Sequence, residues 1–360
     1  MKKNSIILII VTAFLLFATA PVYALQYSIS DLGSFKSPDF GFLGGSPLVS
    51  YKINNKNQII GHSSEGAFLW ENGDTVNLGN VNIGGINDNG VLAGNDSEGI
   101  FVWENGVKTY IPGENEYYDQ DYSQVSDINN ANQISGTERI NGMANNYAYL
   151  WDDATRTAVR IGTYSPYDYL WGMATSVNDA GHMTGIVDGD TPFLWKNGVL
   201  TEMTNFGWTS DINNADQIAG SFETAEGLYH AALWEDSLIT DMGTVDGYTS
   251  STAWAINELG QAVGSSSNSH IFEGGSAFYW DNKTGMINLN DYISPESGWD
   301  LIWASDINDY GYIVGVGTYN GETRGFLATP TPEPATMILL GTGLIGLAGA
   351  RRKMRKNPAA

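Results

Sequence analysis

Asp211-Ile212-Asn213-Asn214-Ala215-Asp216-Gln217-Ile218-Ala219-Gly220 is the stretch on which the fold turns, because the chain repeats its grammar. Ile or Val followed by Asn, with Gly seven residues after the Asn, recurs seven times. The Asn residues are Asn54, Asn87, Asn129, Asn178, Asn213, Asn257 and Asn308. The Gly residues are Gly61, Gly94, Gly136, Gly185, Gly220, Gly264 and Gly315. Successive Asn residues are 33, 42, 49, 35, 44 and 51 apart. A period of about 42 residues belongs to repeat architectures.

Each Gly leads into an aromatic-rich run that ends at Trp70, Trp103, Trp151, Trp195, Trp234 or Trp280; the seventh, Gly325-Phe326-Leu327-Ala328, has no Trp. The connection after each Ile/Val-Asn ends at Asn57, Gly90, Asn132, Gly181, Asp216, Gly260 or Gly311. All are residues that tolerate positive φ, which a tight hairpin requires. Turns such as Glu71-Asn72-Gly73 and Lys196-Asn197-Gly198 lead to a fourth segment, for example Leu238–Gly243. Four short antiparallel strands per unit, with a third strand apolar on both faces, predict an all-β, seven-bladed β-propeller; an open β-solenoid is the alternative. The seventh unit lacks a fourth strand. Tyr27-Ser28-Ile29-Ser30-Asp31-Leu32-Gly33 carries its pattern, so the N-terminal strand is expected to close the last blade and leave no open edge. The repeat Asn and Gly residues read as turn geometry, and the Trp residues of the third strands as core.

The two ends read as targeting segments. Residues 1–24 form a signal peptide: Lys2 and Lys3, an apolar run from Ile6 to Ala20, and a cleavage site at Val22-Tyr23-Ala24. At the other end, Pro332-Glu333-Pro334 precedes the uncharged span 335–350 and a basic tail that begins Arg351-Arg352-Lys353. Such an order is expected to halt in a membrane with the basic end cytoplasmic. The last thirty residues resemble the PEP-CTERM sorting signal of exported proteins in Gram-negative bacteria that make exopolysaccharide. The resemblance implies an exosortase-type transpeptidase as partner, transient membrane contact through a transmembrane span at 335–350, and processing near Pro334. Release or surface attachment would follow, giving a secreted, extracellular or outer cell-surface location. The expected division is therefore 1–24 signal peptide, 25–329 propeller and 330–360 sorting signal. The repeats themselves, over about 53–328, resemble the HAF family of bacterial extracellular repeats. Gly66-Ala67-Phe68-Leu69-Trp70 shows the likeness, although the His of the family's His-Ala-Phe triplet is mostly replaced. That family brings no known activity with it.

The chain of 360 residues carries 17 Lys+Arg against 40 Asp+Glu, a net charge of −23, and no Cys. Seven of the basic residues and none of the acids lie outside 25–334, so that segment holds 10 against 40, a net of −30. Nucleic acid, which needs clustered cations, is excluded as a partner. Disulfides and Cys-ligated metals are excluded as well. His62, His182, His230 and His270 are too scattered for a zinc motif, and no nucleophile elbow or phosphate loop occurs. No cofactor is expected, although acidic loops such as Asp188-Gly189-Asp190 offer the oxygen ligands that Ca²⁺ takes.

One face of the ring should carry the seven first-to-second-strand connections, all of one length. The opposite face carries connections that vary: from repeat Gly to Trp the distances are 9, 9, 15, 10, 14 and 16 residues. Variable loops on a rigid scaffold are where binding is placed. Many aromatics outside the repeat grammar fall there, with Asp119, Asp121, Asp168, Asp246 and Asp300 among them. The candidate ligand-binding residues are Tyr167, Tyr169, Trp171, Trp208, Tyr248, Trp254, Trp299 and Trp303, with no catalytic or metal residue assigned. Flat aromatic faces beside carboxylates suit carbohydrate. The sequence thus reads as a secreted, non-enzymatic propeller with a structural or glycan-binding role in an extracellular polysaccharide matrix. An exported glycan-active hydrolase or lyase using loop carboxylates is the alternative.

Overall fold

A computed structural model describes residues 26–34, 51–63, 65–111, 124–139, 146–152, 154–162, 172–268 and 275–331. Seven four-stranded antiparallel sheets follow one another along the chain and form a seven-bladed β-propeller. Blade 1 runs Lys52–Ile53, Ile59–Ser63, Gly66–Glu71 and Asp74–Gly79, innermost strand first. Blade 5, which contains the opening stretch, runs Trp208–Ile212, Ile218–Glu223, Tyr229–Glu235 and Leu238–Gly243. Blade 7 has three strands from the end of the repeat region, Trp299–Ile307, Ile313–Tyr319 and Glu322–Thr331, and its fourth is the N-terminal strand Gln26–Ser34. Arg324 reaches that strand through a 2.6 Å ion pair with Asp31. The propeller proper is Ile29–Thr329; outside it, Thr331 Oγ1 donates to the carbonyl of Gln26 at 3.0 Å. The ring is closed, so the solenoid reading falls.

Among the described residues the apolar core is divided into clusters that straddle neighbouring blades. Tyr51, Ile53, Ile59 and Phe68 of blade 1 pack with Val314, Val316 and Leu327 of blade 7, which seals the closing junction. Trp151, Trp234 and Trp280 are buried in such clusters, while Trp70, Trp103 and Trp195 pack half-buried against them.

The repeat Asn does more than make a turn. In every blade its Oδ1 accepts the N–H groups two and four residues ahead, as Asn213 does from Ala215 and Gln217 at 3.0 Å each. Its Nδ2 then donates to the carbonyl of the repeat Asn in the next blade. The seven bonds, 2.7 to 3.1 Å long, run from Asn54 to Asn87 and round to Asn308, which returns to Asn54. A second ring lies one residue further on. The backbone N–H of Asn55, Asp88, Asn130, Asp179, Asn214, Glu258 and Asp309 each donates to the side chain of the next member.

The repeat Gly is not a turn residue, and here the sequence reading is corrected. It sits inside the second strand, in blades 2 to 7 opposite a bulge in the innermost strand such as that between Thr209 and Asp211, and in blade 1 against the Tyr51 ring. A Cβ on Gly220 would stand 1.9 Å from the Trp208 carbonyl oxygen, and on Gly315 2.1 Å from that of Trp303. Close backbone approach, not positive φ, is what demands glycine here. An aromatic ring of the third strand covers most of these glycines, as Phe326 pairs with Gly315. In blade 5 Ala232 takes that register position, and Phe206 comes within reach of Gly220 in its place.

Candidate functional site

The residue two places before each repeat Asn faces the centre of the ring. Around the seven blades it reads Lys52, Gly85, Asp127, Ser176, Asp211, Ala255 and Asp306. Here the repeats disagree with one another, and a cavity of about 300 Å³ lies over this layer, lined by the innermost strands of all seven blades.

Lys52 spans from blade 1 to blade 3, where Nζ donates to Asp127 Oδ1 and to the Ser126 carbonyl, both at 3.0 Å. Blade 2 between them presents Gly84 and Gly85. A Cβ on Gly84 would meet the Val125 carbonyl oxygen at 2.2 Å, so blades 2 and 3 approach backbone to backbone there. The three carboxylates clamp neighbouring blades. Asp306 accepts from the N–H groups of Ile53 and Ile307 at 2.8 Å each. Asp211 accepts from Ile256 at 3.0 Å and Ile212 at 2.9 Å, and Asp127 from Val177 at 3.3 Å.

Ser176 Oγ stands 2.8 Å from Asp127 Oδ2 and 2.7 Å from Asp211 Oδ1. A hydroxyl has one proton to give, so both contacts are hydrogen bonds only when one carboxyl is itself protonated. Asp127 also accepts from Lys52 Nζ, so of the two it is Asp211 whose protonated form is favoured. The electrostatics agree: burial first, then the Asp127 charge, raises Asp211 above the usual carboxylate range. Burial, reinforced by Asp211, pushes Asp306 up to about 7. Burial alone would lower Lys52, but the charges of Asp127, Asp306 and Asp211 outweigh it and hold Lys52 above its ordinary value. His62, also on the cavity wall, is lowered by burial, while Nε2 donates to the Val81 carbonyl at 3.1 Å.

Trp254 and Trp303 stand together on the wall, ring centroids 5.7 Å apart and planes inclined 43°. Trp254 Nε1 donates to Ser265 Oγ at 3.1 Å. Trp303 is 8% exposed, and neither its Nε1 nor Ser210 Oγ has a protein partner. Asn82, Asn95 and Gln124 add amide groups.

The other sequence candidates go elsewhere. Trp208 opens the innermost strand of blade 5, half-buried and outside the cavity lining. Tyr248 packs on the core between blades 5 and 6. Trp299 packs 5.2 Å from Tyr319 and 6.3 Å from Phe326 within blade 7. Tyr167, Tyr169, Trp171 and the sorting residues Pro332, Glu333, Pro334, Arg351 and Arg352 lie outside the described residues, as do the expected span 335–350 and His270. No helix among the described residues is long and apolar enough to cross a membrane. Asp188 and Asp190 flank a turn between the second and third strands of blade 4. Lys52 and the three carboxylates went unnoticed in the sequence. The comparison of one column across seven repeats was the signal that would have found them.

On the opposite face, Asn55, Asp88, Asn130, Asp179, Asn214, Glu258 and Asp309 surround a second cavity of about 330 Å³. Their side chains are taken up by the ring of hydrogen bonds described above, and amide alternates with acid until Glu258 meets Asp309. Burial raises the Glu258 carboxyl, and Asp309 adds to the rise against the Asn214 N–H.

The PEP-CTERM protein-sorting motif is matched over residues 330–353. No curated protein matches the chain. Among solved structures, the extracellular domain of a candidate one-component system, BT4673 of B. thetaiotaomicron, is similar at 12% identity and a TM-score of 0.48 over 83% of this chain. The chain spans 39% of that protein's length. TolB from Acinetobacter baumannii is similar at 15% identity and a TM-score of 0.39, covering 80% of this chain and 66% of TolB. A gluconolactonase from Xanthomonas campestris is similar at 11% identity and a TM-score of 0.39, covering 87% and 99%.

Proposed function

We propose that this protein is an exported glycan-binding module of the cell surface or extracellular matrix, and that its ligand seats in the central cavity without being turned over. The PEP-CTERM motif implies export and placement at or beyond the cell surface, and exosortase-type transpeptidases process such signals. The observation that carries the binding reading is the Trp254–Trp303 pair on the wall of a cavity otherwise rich in carboxylate, amide, hydroxyl and ammonium groups. Apolar platforms with a few convergent polar groups are what small-ligand sites consist of, and aromatic anchors supply much of their energy. The repeat region keeps its resemblance to HAF repeats as part of this reading.

A glycan array probed with the mature protein tests it. Saturable binding that Trp254→Ala abolishes, with every glycan recovered intact, supports the proposal; no binding to any glycan overturns it. One observation favours the enzymatic alternative. Asp306, a buried carboxyl that titrates near neutrality, has the property a general acid needs. Appearance of cleaved glycan that Asp306→Asn abolishes would move the protein to that class.

A further inference from the structure

We propose that the glycan taken by the central cavity bears a free amine, whose ammonium pairs with Asp306 in the cavity that the Trp254–Trp303 pair also lines. This inference rests on the glycan-binding reading above and names the sugar class.

The cavity has three carboxyls and one resident ammonium. Lys52 is committed to Asp127 and the Ser126 carbonyl. Asp306 has backbone partners only, two N–H donors for a group with about four acceptor positions, so it keeps capacity for a ligand's donors. Ser176 Oγ bridges Asp127 and Asp211, which leaves both of them engaged within the protein. One resident ammonium serves three carboxyls, and His62, turned to the Val81 carbonyl, does not supply a second cation. A sugar ammonium would. The Trp254–Trp303 pair offers the same cation a π face while stacking on the ring that carries it. A metal ion is a poorer fit, because among the described residues no three acidic or imidazole groups are grouped to hold one.

The titratable groups on the cavity wall are Lys52, His62, Asp127, Asp211 and Asp306. An arriving ammonium favours the ionised form of Asp211 and Asp306, both raised in the free protein. At about pH 5.5, where the sugar amine already carries its proton, binding therefore releases protons from these carboxyls, which a neutral sugar would not cause.

The test is calorimetry of the mature protein at about pH 5.5 and physiological ionic strength with three tetramers that differ only at C2 of each sugar: cellotetraose, N-acetylglucosamine tetramer and glucosamine tetramer. We expect the glucosamine tetramer to bind at least about tenfold tighter than either neutral one, a difference of about 1.4 kcal/mol. The heat should vary with the ionisation enthalpy of the buffer. Asp306→Asn should reduce the preference to within about threefold, whereas Glu104→Gln, on the exposed end of a third strand, should keep it. Equal affinity for the three tetramers would overturn the amine while leaving the glycan reading intact. Preference without proton release, or preference lost equally in Glu104→Gln, would mark diffuse attraction to an acidic protein and overturn it too. Failure of all glycans on the array and all three tetramers would overturn both. The proton count needs only the wild-type chain, so it stands even if Asp306→Asn does not fold.

Discussion

The second Nδ2 proton of each repeat Asn obeys a rule that can be broken and repaired. In blades 1, 3, 5 and 6 it goes to a Gln four residues ahead: Gln58, Gln133, Gln217 or Gln261. In each case the left-handed turn residue of the next blade is Gly: Gly90, Gly181, Gly260 or Gly311. In blades 2, 4 and 7 there is no such Gln. Val91, His182 and Tyr312 stand there, and the proton goes to the turn residue of the next blade, Asn132, Asp216 or Asn57, at 2.8 to 2.9 Å. The two positions are alternatives for one acceptor. Replacing Gln58 by Val, as blade 2 has it, strips an acceptor 2.8 Å from the Nδ2 of Asn54, which is 4% exposed. A buried donor left without a partner costs about 1–3 kcal/mol. Gly90→Asn alone places a Cβ 3.0 Å from Gln58 Oε1 at φ +85, and should cost about 1–2 kcal/mol. Together the changes convert the junction of blades 1 and 2 to the type seen between blades 2 and 3, where Asn132 holds φ 60. We expect the double variant to recover about 2 kcal/mol relative to the sum of the single ones. Thermal melting of the four proteins would read this as roughly 2 °C per kcal/mol for a chain of this size. Strict additivity would show that the two positions do not share the proton, and the rule would be a coincidence of seven repeats.

Removing residues 26–34 would leave Glu322–Thr331 as an open edge in blade 7; a melting temperature at least about 10 °C lower is expected, and an unchanged one would show that the ring closes without that strand. Trp234→Ala, in the core between blades 4 and 5, should cost about 3–5 kcal/mol in denaturant unfolding, whereas Trp254→Ala should cost less and act on binding. Gly220→Ala forces a Cβ into the Trp208 carbonyl and should prevent folding or lower the melting temperature sharply. Asp306 titrates at about 7 when folded against its ordinary 3.8, so the folded chain binds its proton more tightly. That group is most stabilising at low pH, and its contribution falls by at most about 4 kcal/mol as pH rises from 4 to 7; melting curves across that window should decline less in Asp306→Asn.

The blade count and the closing strand were legible because both rest on local grammar. Ile/Val-Asn, a left-handed residue three places on, and a Gly seven places on each describe one hairpin, and seven hairpins count themselves. The terminal strand was legible for the same reason, since Ile29 to Gly33 repeats a pattern already established within the chain. The role of the repeat Gly was not. Its cause is a carbonyl of the neighbouring strand, displaced by a bulge that no single-strand pattern announces. Loop aromatics were half legible. Trp254 and Trp303 do meet at the cavity, but Tyr248 and Trp299 are drawn inward by packing partners such as Met242 and Phe326, which sequence position does not reveal.

Seven near-identical units make a symmetric ring, and a symmetric ring has no reason to distinguish one ligand orientation from another. The two hydrogen-bonded rings below the cavity keep to that symmetry, with every blade supplying the same bonds. Asymmetry enters at the layer above, where Lys52, Gly85, Asp127, Ser176, Asp211, Ala255 and Asp306 occupy equivalent places with unlike chemistry. The long reach of Lys52 depends on Gly84 and Gly85 leaving blade 2 without side chains there, and the bridging contacts of Ser176 depend on acids in the blades to either side. Each of these choices is meaningful only in the company of the others. Substituting Lys52 or Ser176 by the residue of a neighbouring blade should change what the cavity attracts, whereas a side chain at Gly85 would stand 2.9 Å from the Ile128 backbone nitrogen and disturb the blades themselves.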